Sequence, residues 1–159
     1  MPLTLTSPAF AHEGPIPSLC TCEGEDVAPA LGWSGAPRGT ASFALIVHDP
    51  DAPDPAKPQR DYVHWVLYDI PSSVAGLVEG VTSDDLPPGT RTGTNDFGTN
   101  EYGGPCPPVG RHRYYFELYA LDAMLGDLGM PARGDVERAM KGHVLERAVL
   151  LGTYEKGDD

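Results

Sequence analysis

A chain of 159 residues carrying 11 Lys and Arg against 23 Asp and Glu has a net charge of −12; it is long enough for one hydrophobic core and lacks the basic face that nucleic-acid backbones or anionic lipid surfaces require. Its 19 glycines and 17 prolines are scattered among apolar runs, unlike collagen or low-complexity disorder, and point to short strands joined by turns and long loops. No apolar run reaches membrane-spanning length, so no stable membrane insertion is expected, and the start Met1–Ser7 has neither the basic head nor the apolar stretch of a secretory signal, which points to a cytoplasmic protein.

In chain order, Leu3–Thr6 alternates as a short strand, and residues 7–39 are rich in Pro, Gly and Ser, with Trp33 as an anchor onto the core. Phe43, Leu45 and Val47 alternate with Ala44, Ile46 and His48, a buried strand running into Asp49. Residues 49–61 hold four prolines, Pro50, Pro53, Pro55 and Pro58; proline fixes φ and donates no ladder hydrogen bond, so a rigid loop is expected. Tyr62–Ile70 reads as a second strand stopped by Pro71, and strict alternation puts Tyr62, His64, Val66 and Tyr68 on one face. Residues 80–111 form a long Gly/Pro-rich region, of a kind usually functional or disordered.

Arg113–Leu121 is the third strong strand, with His112, Tyr114, Phe116 and Leu118 sharing a face and Tyr115 and Tyr119 on the other, open to a second sheet or a homodimer contact. One helix is convincing: Asp135 as N-cap, then Val136, Ala139, Met140 and Val144 at helical spacing, with Glu137 and Lys141 as an i,i+4 pair. Val149–Tyr154 closes the chain as a strand. With no repeat and no linker, residues 1–159 read as a single mainly β domain, an antiparallel two-sheet β-sandwich with one or two small peripheral helices.

The three cysteines, Cys20, Cys22 and Cys106, are odd in number and accompany no signal, which favours reduced thiols; a pairing of Cys106 with one of the others stays open. Two segments concentrate polar groups beside stiff loops: Asp49-Pro50-Asp51-Ala52-Pro53 with His64 in the next strand, and Gly103-Gly104-Pro105-Cys106-Pro107-Pro108 followed by His112-Arg113-Tyr114. Asp-Pro and Asp-Ala-Pro are also ordinary turn formers, so the residues alone do not separate a site from a turn.

These two segments resemble the signature regions of the phosphatidylethanolamine-binding protein family. Thr21-Cys22-Glu23-Gly24-Glu25-Asp26, Trp33-Ser34-Gly35, Asn95-Asp96-Phe97-Gly98, Met140-Lys141-Gly142-His143 and Gly152-Thr153-Tyr154 look like its bacterial, Raf-kinase-inhibitor-like branch. The resemblance implies two packed antiparallel sheets and a pocket for phosphate-like anions or phospholipid head groups. Carried over, the pocket is Asp49, Asp51, His64, His112 and Tyr114, with Gly104 and Pro105 on its rim, and without a cofactor, a metal or catalytic residues. It also implies cis peptides at Ala52-Pro53 and near Arg60-Asp61, and a kinase or protease as protein partner. The flanking C-terminal helix of many eukaryotic members has no counterpart after Tyr154, so a pocket more open on that side is expected.

Two carboxylates would repel an anion by several kcal/mol at low effective dielectric, so the expectation is that His64 and His112 are partly protonated when the anion is bound, with an aspartate orienting an imidazole. The enzymatic alternatives are a metal held by Asp49, Asp51, His64 and His112, or a Cys106–His112 nucleophile and base, either serving a hydrolase.

Overall fold

Strand periodicity in the sequence becomes nine strands and one α-helix in the computed structural model, which describes residues 2–158. The strands are β1 (Thr4–Thr6), β2 (Gly14–Pro15), β3 (Leu31–Ser34), β4 (Ser42–Ala52), β5 (Arg60–Pro71), β6 (Gly76–Leu77), β7 (Arg91–Thr92), β8 (His112–Leu121) and β9 (Val144–Tyr154), with α1 (Arg133–Met140) before the last. They form a small sheet in the order β1-β3-β6 and a large one in the order β2-β9-β8-β4-β5-β7. Every pairing is antiparallel except β2 with β9, which run parallel. The exception follows Glu13, whose φ of 69° turns the chain so that Glu13 and Ile16 donate to Leu151 and Thr153 along the β9 edge.

The alternation of β4 sorts it between two cores. Phe43, Leu45 and Val47 meet Trp65, Phe116 and Leu118 of the large sheet and Leu3, Leu5, Leu31 and Trp33 from the small-sheet side. Ala44 and Ile46 face the other way, toward Val66, Tyr68 and Leu121, under Val136 and Met140 of α1. A strand covered on both faces reads as a continuous apolar run. Trp33 is the expected anchor, its Nε1 donating to the Val74 carbonyl at 2.9 Å. Full burial of Val136 and Met140 stabilises the helix contact by about 1.5–3 kcal/mol for each side chain.

Several local expectations are corrected. Ala132 occupies the N-cap position of α1, while Asp135 sits three residues in and accepts from the Ala132 N–H at 3.0 Å. Glu137 pairs with Arg133 at 3.1 Å, one turn back, in place of Lys141. Val144 opens β9, because Gly142 at φ 84° ends the helical path. The proline loop shortens to residues 53–59, since β4 runs through Pro50 to Ala52; an irregularity between Asp49 and Ala52 spares the ladder the missing Pro50 donor. Apart from these corrections, the half-buried Tyr115 stacks on His48 with ring centroids 5.5 Å apart, and the Tyr119 hydroxyl donates to Glu117 at 2.8 Å.

The largest correction lies in β5. Val47 pairs with Trp65 but His48 pairs with Val63, so His64 is an extra residue, a β-bulge. Strict alternation breaks there. Tyr62 and His64 turn to the end of the sandwich, while Val66 and Tyr68 go to the helix-covered face.

Candidate ligand pocket

The bulge aims His64 into a cavity of about 550 Å³ where β4, β5 and β8 end. Asp49, His64, His112 and Tyr114 come together there, with walls from Ala52, Pro53, Tyr62, Phe97, Pro107 and Pro108. Gln59, Arg60 and Cys106 complete the lining.

Asp49 is 3% exposed and His112 1%. The carboxylate takes His112 Nδ1 at 2.6 Å on one oxygen and the Asp51 N–H at 2.7 Å on the other. His112 Nε2 lies 2.8 Å from the Val109 carbonyl, which can only accept, so that nitrogen carries a proton. Asp49 and His112 therefore share one further proton and are neutral together, whichever partner holds it. Burial raises Asp49 above the ordinary carboxylate range, against the lowering effect of the His112 hydrogen bond. Both nitrogens of His112 are spoken for.

His64 differs. Its Nδ1 is 2.6 Å from the Gly103 carbonyl, so Nδ1 carries the proton and Nε2 keeps a lone pair with no hydrogen bond among the described residues. Burial pushes its pKa down to about 4, more strongly than the Gly103 bond and the Asp96 charge pull it up. The ring is therefore a neutral acceptor at ordinary pH in the fold without an anion. Tyr114 stands edge-on to it at 5.3 Å. Burial first, then the Asp49 and Asp51 charges, raise the Tyr114 hydroxyl far above its usual range, so it is a neutral donor.

Asp51, Gly104 and Pro105 are not in the lining. Asp51 turns to Arg113, accepting from its backbone N–H at 2.9 Å, its Nε at 3.0 Å and its Nη2 at 2.8 Å. Asp51 holds the β4–β8 corner and is lowered by that guanidinium. Asp51→Asn is expected to lower stability by about 1–2 kcal/mol, Arg113 being half exposed, and to leave ligand affinity unchanged; urea unfolding and titration calorimetry on one preparation check both. Gly104 donates to Asp26 at 2.7 Å, and Pro105 accepts from the Cys22 N–H at 3.0 Å, so both face the 20–26 segment behind the wall.

Phe97 was not assigned a role by sequence reasoning. It packs edge-on against Tyr62 at 5.0 Å and His64 at 5.3 Å. Asn95 folds its loop: its Oδ1 accepts from the Phe97 and Thr99 N–H groups, and its Nδ2 donates to the His64 and Glu101 carbonyls. Asp96 accepts from the Val63 N–H at 2.7 Å and lies 3.1 Å from Arg60, fixing the start of β5. An aromatic residue inside the turn-forming segment Asn-Asp-Phe-Gly was the available signal.

Cys22 and Cys106 form a disulfide, and Cys20 is free and buried. The expectation of three reduced thiols is overturned, and Cys106 has no thiolate for the nucleophile–base alternative. The metal alternative loses its ligands too: Asp51 is bound to Arg113, His112 has no free nitrogen, and among the described residues no three His, Cys, Asp or Glu side chains are grouped to hold a metal. Ala52-Pro53 is cis, as the resemblance implied. Arg60-Asp61 is not among the cis bonds of the described residues; Arg60 already pairs with Ala52 in the ladder.

The described residues form a mainly β two-sheet sandwich with a pocket where its central strands end. Residues 6–155 match the family model described as phosphatidylethanolamine-binding protein, and the chain belongs to that family. It is 46% identical over 156 residues to a UPF0098 protein of Methanothermobacter thermautotrophicus, covering 98% of this chain and all of that one. A phosphatidylethanolamine-binding protein homologue from Chlamydia trachomatis superposes with a TM-score of 0.89 at 39% identity, covering 98% of each chain. YbcL of E. coli, described as a member of the mammalian family, gives 0.87 at 31% identity, covering 98% of this chain and 99% of that one. No helix among the described residues is long and apolar enough to cross a membrane.

Proposed function

We propose that this protein binds a small ligand through a phosphate-like head that carries a proton. The observation behind the reading is the neutral His64, with its Nδ1–H held by Gly103 and its Nε2 lone pair left for the cavity. A phosphoryl P–OH donates to that nitrogen, and the Tyr114 hydroxyl donates to a second phosphoryl oxygen. Repulsion by two carboxylates does not arise, since Asp49 is neutralised with His112 and Asp51 with Arg113. Arg60, half exposed over the Tyr62 ring at 4.8 Å, borders the mouth with its charge balanced by Asp96 at 3.1 Å. Apolar walls of Pro53, Phe97, Pro107 and Pro108 exclude water and strengthen the polar contacts.

The site then prefers the singly ionised phosphoester. Affinity for phosphoethanolamine is expected to fall as pH rises through the ester's second ionisation near about 6, by up to about tenfold per unit. Titration calorimetry at pH 5.5, 7 and 8.5, about those steps, on wild type and His64→Phe reads this. Loss of binding in the variant and weakening with pH support the reading. Affinity independent of pH, or unchanged in His64→Phe, removes it.

A further inference from the structure

The wall that sets His64 has no regular structure of its own. Residues 103–108 belong to no strand or helix, yet the Gly103 carbonyl fixes the His64 tautomer and Cys106 to Pro108 line the cavity. What holds this wall is the 20–26 segment. The Tyr102 hydroxyl donates to the Cys20 carbonyl at 2.8 Å, Gly104 donates to Asp26, and Cys22 donates to Pro105. Gly104 sits so close that a Cβ there would lie 2.2 Å from the Cys20 carbonyl oxygen. The covalent member of this contact is Cys22–Cys106, which joins positions 84 residues apart.

Both partners of that bond are exposed. Access of an attacking thiolate is a main control on disulfide exchange, and exposed disulfides are the labile ones. Cys20, two residues from Cys22, cannot take over the exchange: its thiol is fully buried, and burial raises its pKa to about 11. The pair is therefore a clean two-state couple.

We propose that Cys22–Cys106 is a reversible redox modification site that sets the position of the 103–108 wall and, through Gly103, the orientation of His64, so that the oxidised form is the ligand-competent one. A thiolate of a small dithiol attacks one sulfur, and the other leaves as thiolate and takes a proton. The reductant's second thiol then displaces the protein from the mixed disulfide. Cys22 and Cys106 end as two thiols, having gained two electrons and two protons, and the dithiol ends as its own disulfide. Reduction leaves the wall on hydrogen bonds alone, and these open on a faster timescale than the covalent link allows. The affinity half of the proposal rests on the phosphoester reading above; the wall half does not.

The experiment is native-state hydrogen exchange of residues 101–110 in oxidised wild type, in wild type with millimolar dithiothreitol, and in Cys22→Ser/Cys106→Ser. Amides of β8 at 114–120 serve as the control for global folding, and phosphoethanolamine is titrated into each form at pH 6. Expected are reduction without denaturant, about tenfold faster exchange confined to the wall, and about fivefold weaker binding in both open forms. A bond that resists reduction in the native state, unchanged wall exchange, or equal affinity in open and closed forms overturns the proposal. Faster exchange with no phosphoethanolamine binding in any form keeps the redox wall and removes the ligand reading.

Discussion

Asp49→Ala is expected to cost about 3–5 kcal/mol of stability, the range for removing one partner of a buried charged pair. The substitution leaves His112 Nδ1 and the Asp51 N–H without their partner, in groups only 1% and 5% exposed. His112 has no easy escape, because its Nε2 stays on the Val109 carbonyl and its ring lies parallel to Tyr114 at 6.3 Å. Asp49→Asn tests the proton count as well as the pair. The amide oxygen keeps the Asp51 bond, and the amide N–H donates to the Nδ1 lone pair of a neutral His112. That variant is expected to stay within about 1–2 kcal/mol of wild type. Urea unfolding with an unchanged m-value separates the two. Equal losses for Ala and Asn would mean that the site needs the carboxylate charge, with the proton resident on His112.

Much of the fold was legible because β4, β5 and β8 each announce themselves by alternation, and their faces carry different apolar residues. What alternation does not encode is where it stops. The bulge at His64 is invisible in Tyr62–Ile70, because Val63, Trp65, Val66 and Leu67 are all acceptable on either buried face. It took the pairing with β4, where Val47 meets Trp65 and His48 meets Val63, to place the extra residue. The helix was read one turn too long for a similar reason: Val144 fits helical spacing, but Gly142 adopts a backbone few other residues tolerate.

The candidate site was legible as a set of residues and not as an arrangement. Asp49 and Asp51 stand two apart and read as equivalent. In the fold, one closes on His112 inside the cavity and the other on Arg113 outside its lining. Spacing along a strand cannot tell which partner each carboxylate will meet, since both partners come from β8, about 60 residues on. The same holds for the cysteines. Their number favoured free thiols, but the hydrogen bonds that bring residues 20–26 against 102–105 connect distant loops and leave no local trace.

The folded state should lose about 3 kcal/mol between pH 7 and pH 4 through His64 alone. Burial pushes this imidazole to about 4 in the fold, against about 6.5 in the unfolded chain. Between those values the unfolded state holds the extra proton, so stability rises with pH across the window and falls as pH drops through it. The gap of about 2.5 units, at about 1.4 kcal/mol each, is about 3.5 kcal/mol in full, of which about 3 falls between pH 7 and pH 4, where the folded imidazole is half protonated. Two other groups act in the opposite sense. Burial works against a charge on His48, but its bonds to Asp61 and Glu117 win and raise it, so its contribution is present below about 6.5 and lost as pH rises through the folded value. Asp49, raised mainly by burial, likewise favours the fold in its protonated form. The wild-type curve is therefore a sum of opposing slopes, and the informative quantity is a difference. His64→Gln keeps a donor for Gly103 and removes the titration. Urea midpoints across pH 7 to 4 should show wild type losing about 3 kcal/mol more than the variant over that window. Parallel curves would mean that the ring gains water or a counter-charge in acid as readily as an exposed histidine. The neutral acceptor on which the phosphoester reading depends would then not be a property of the fold.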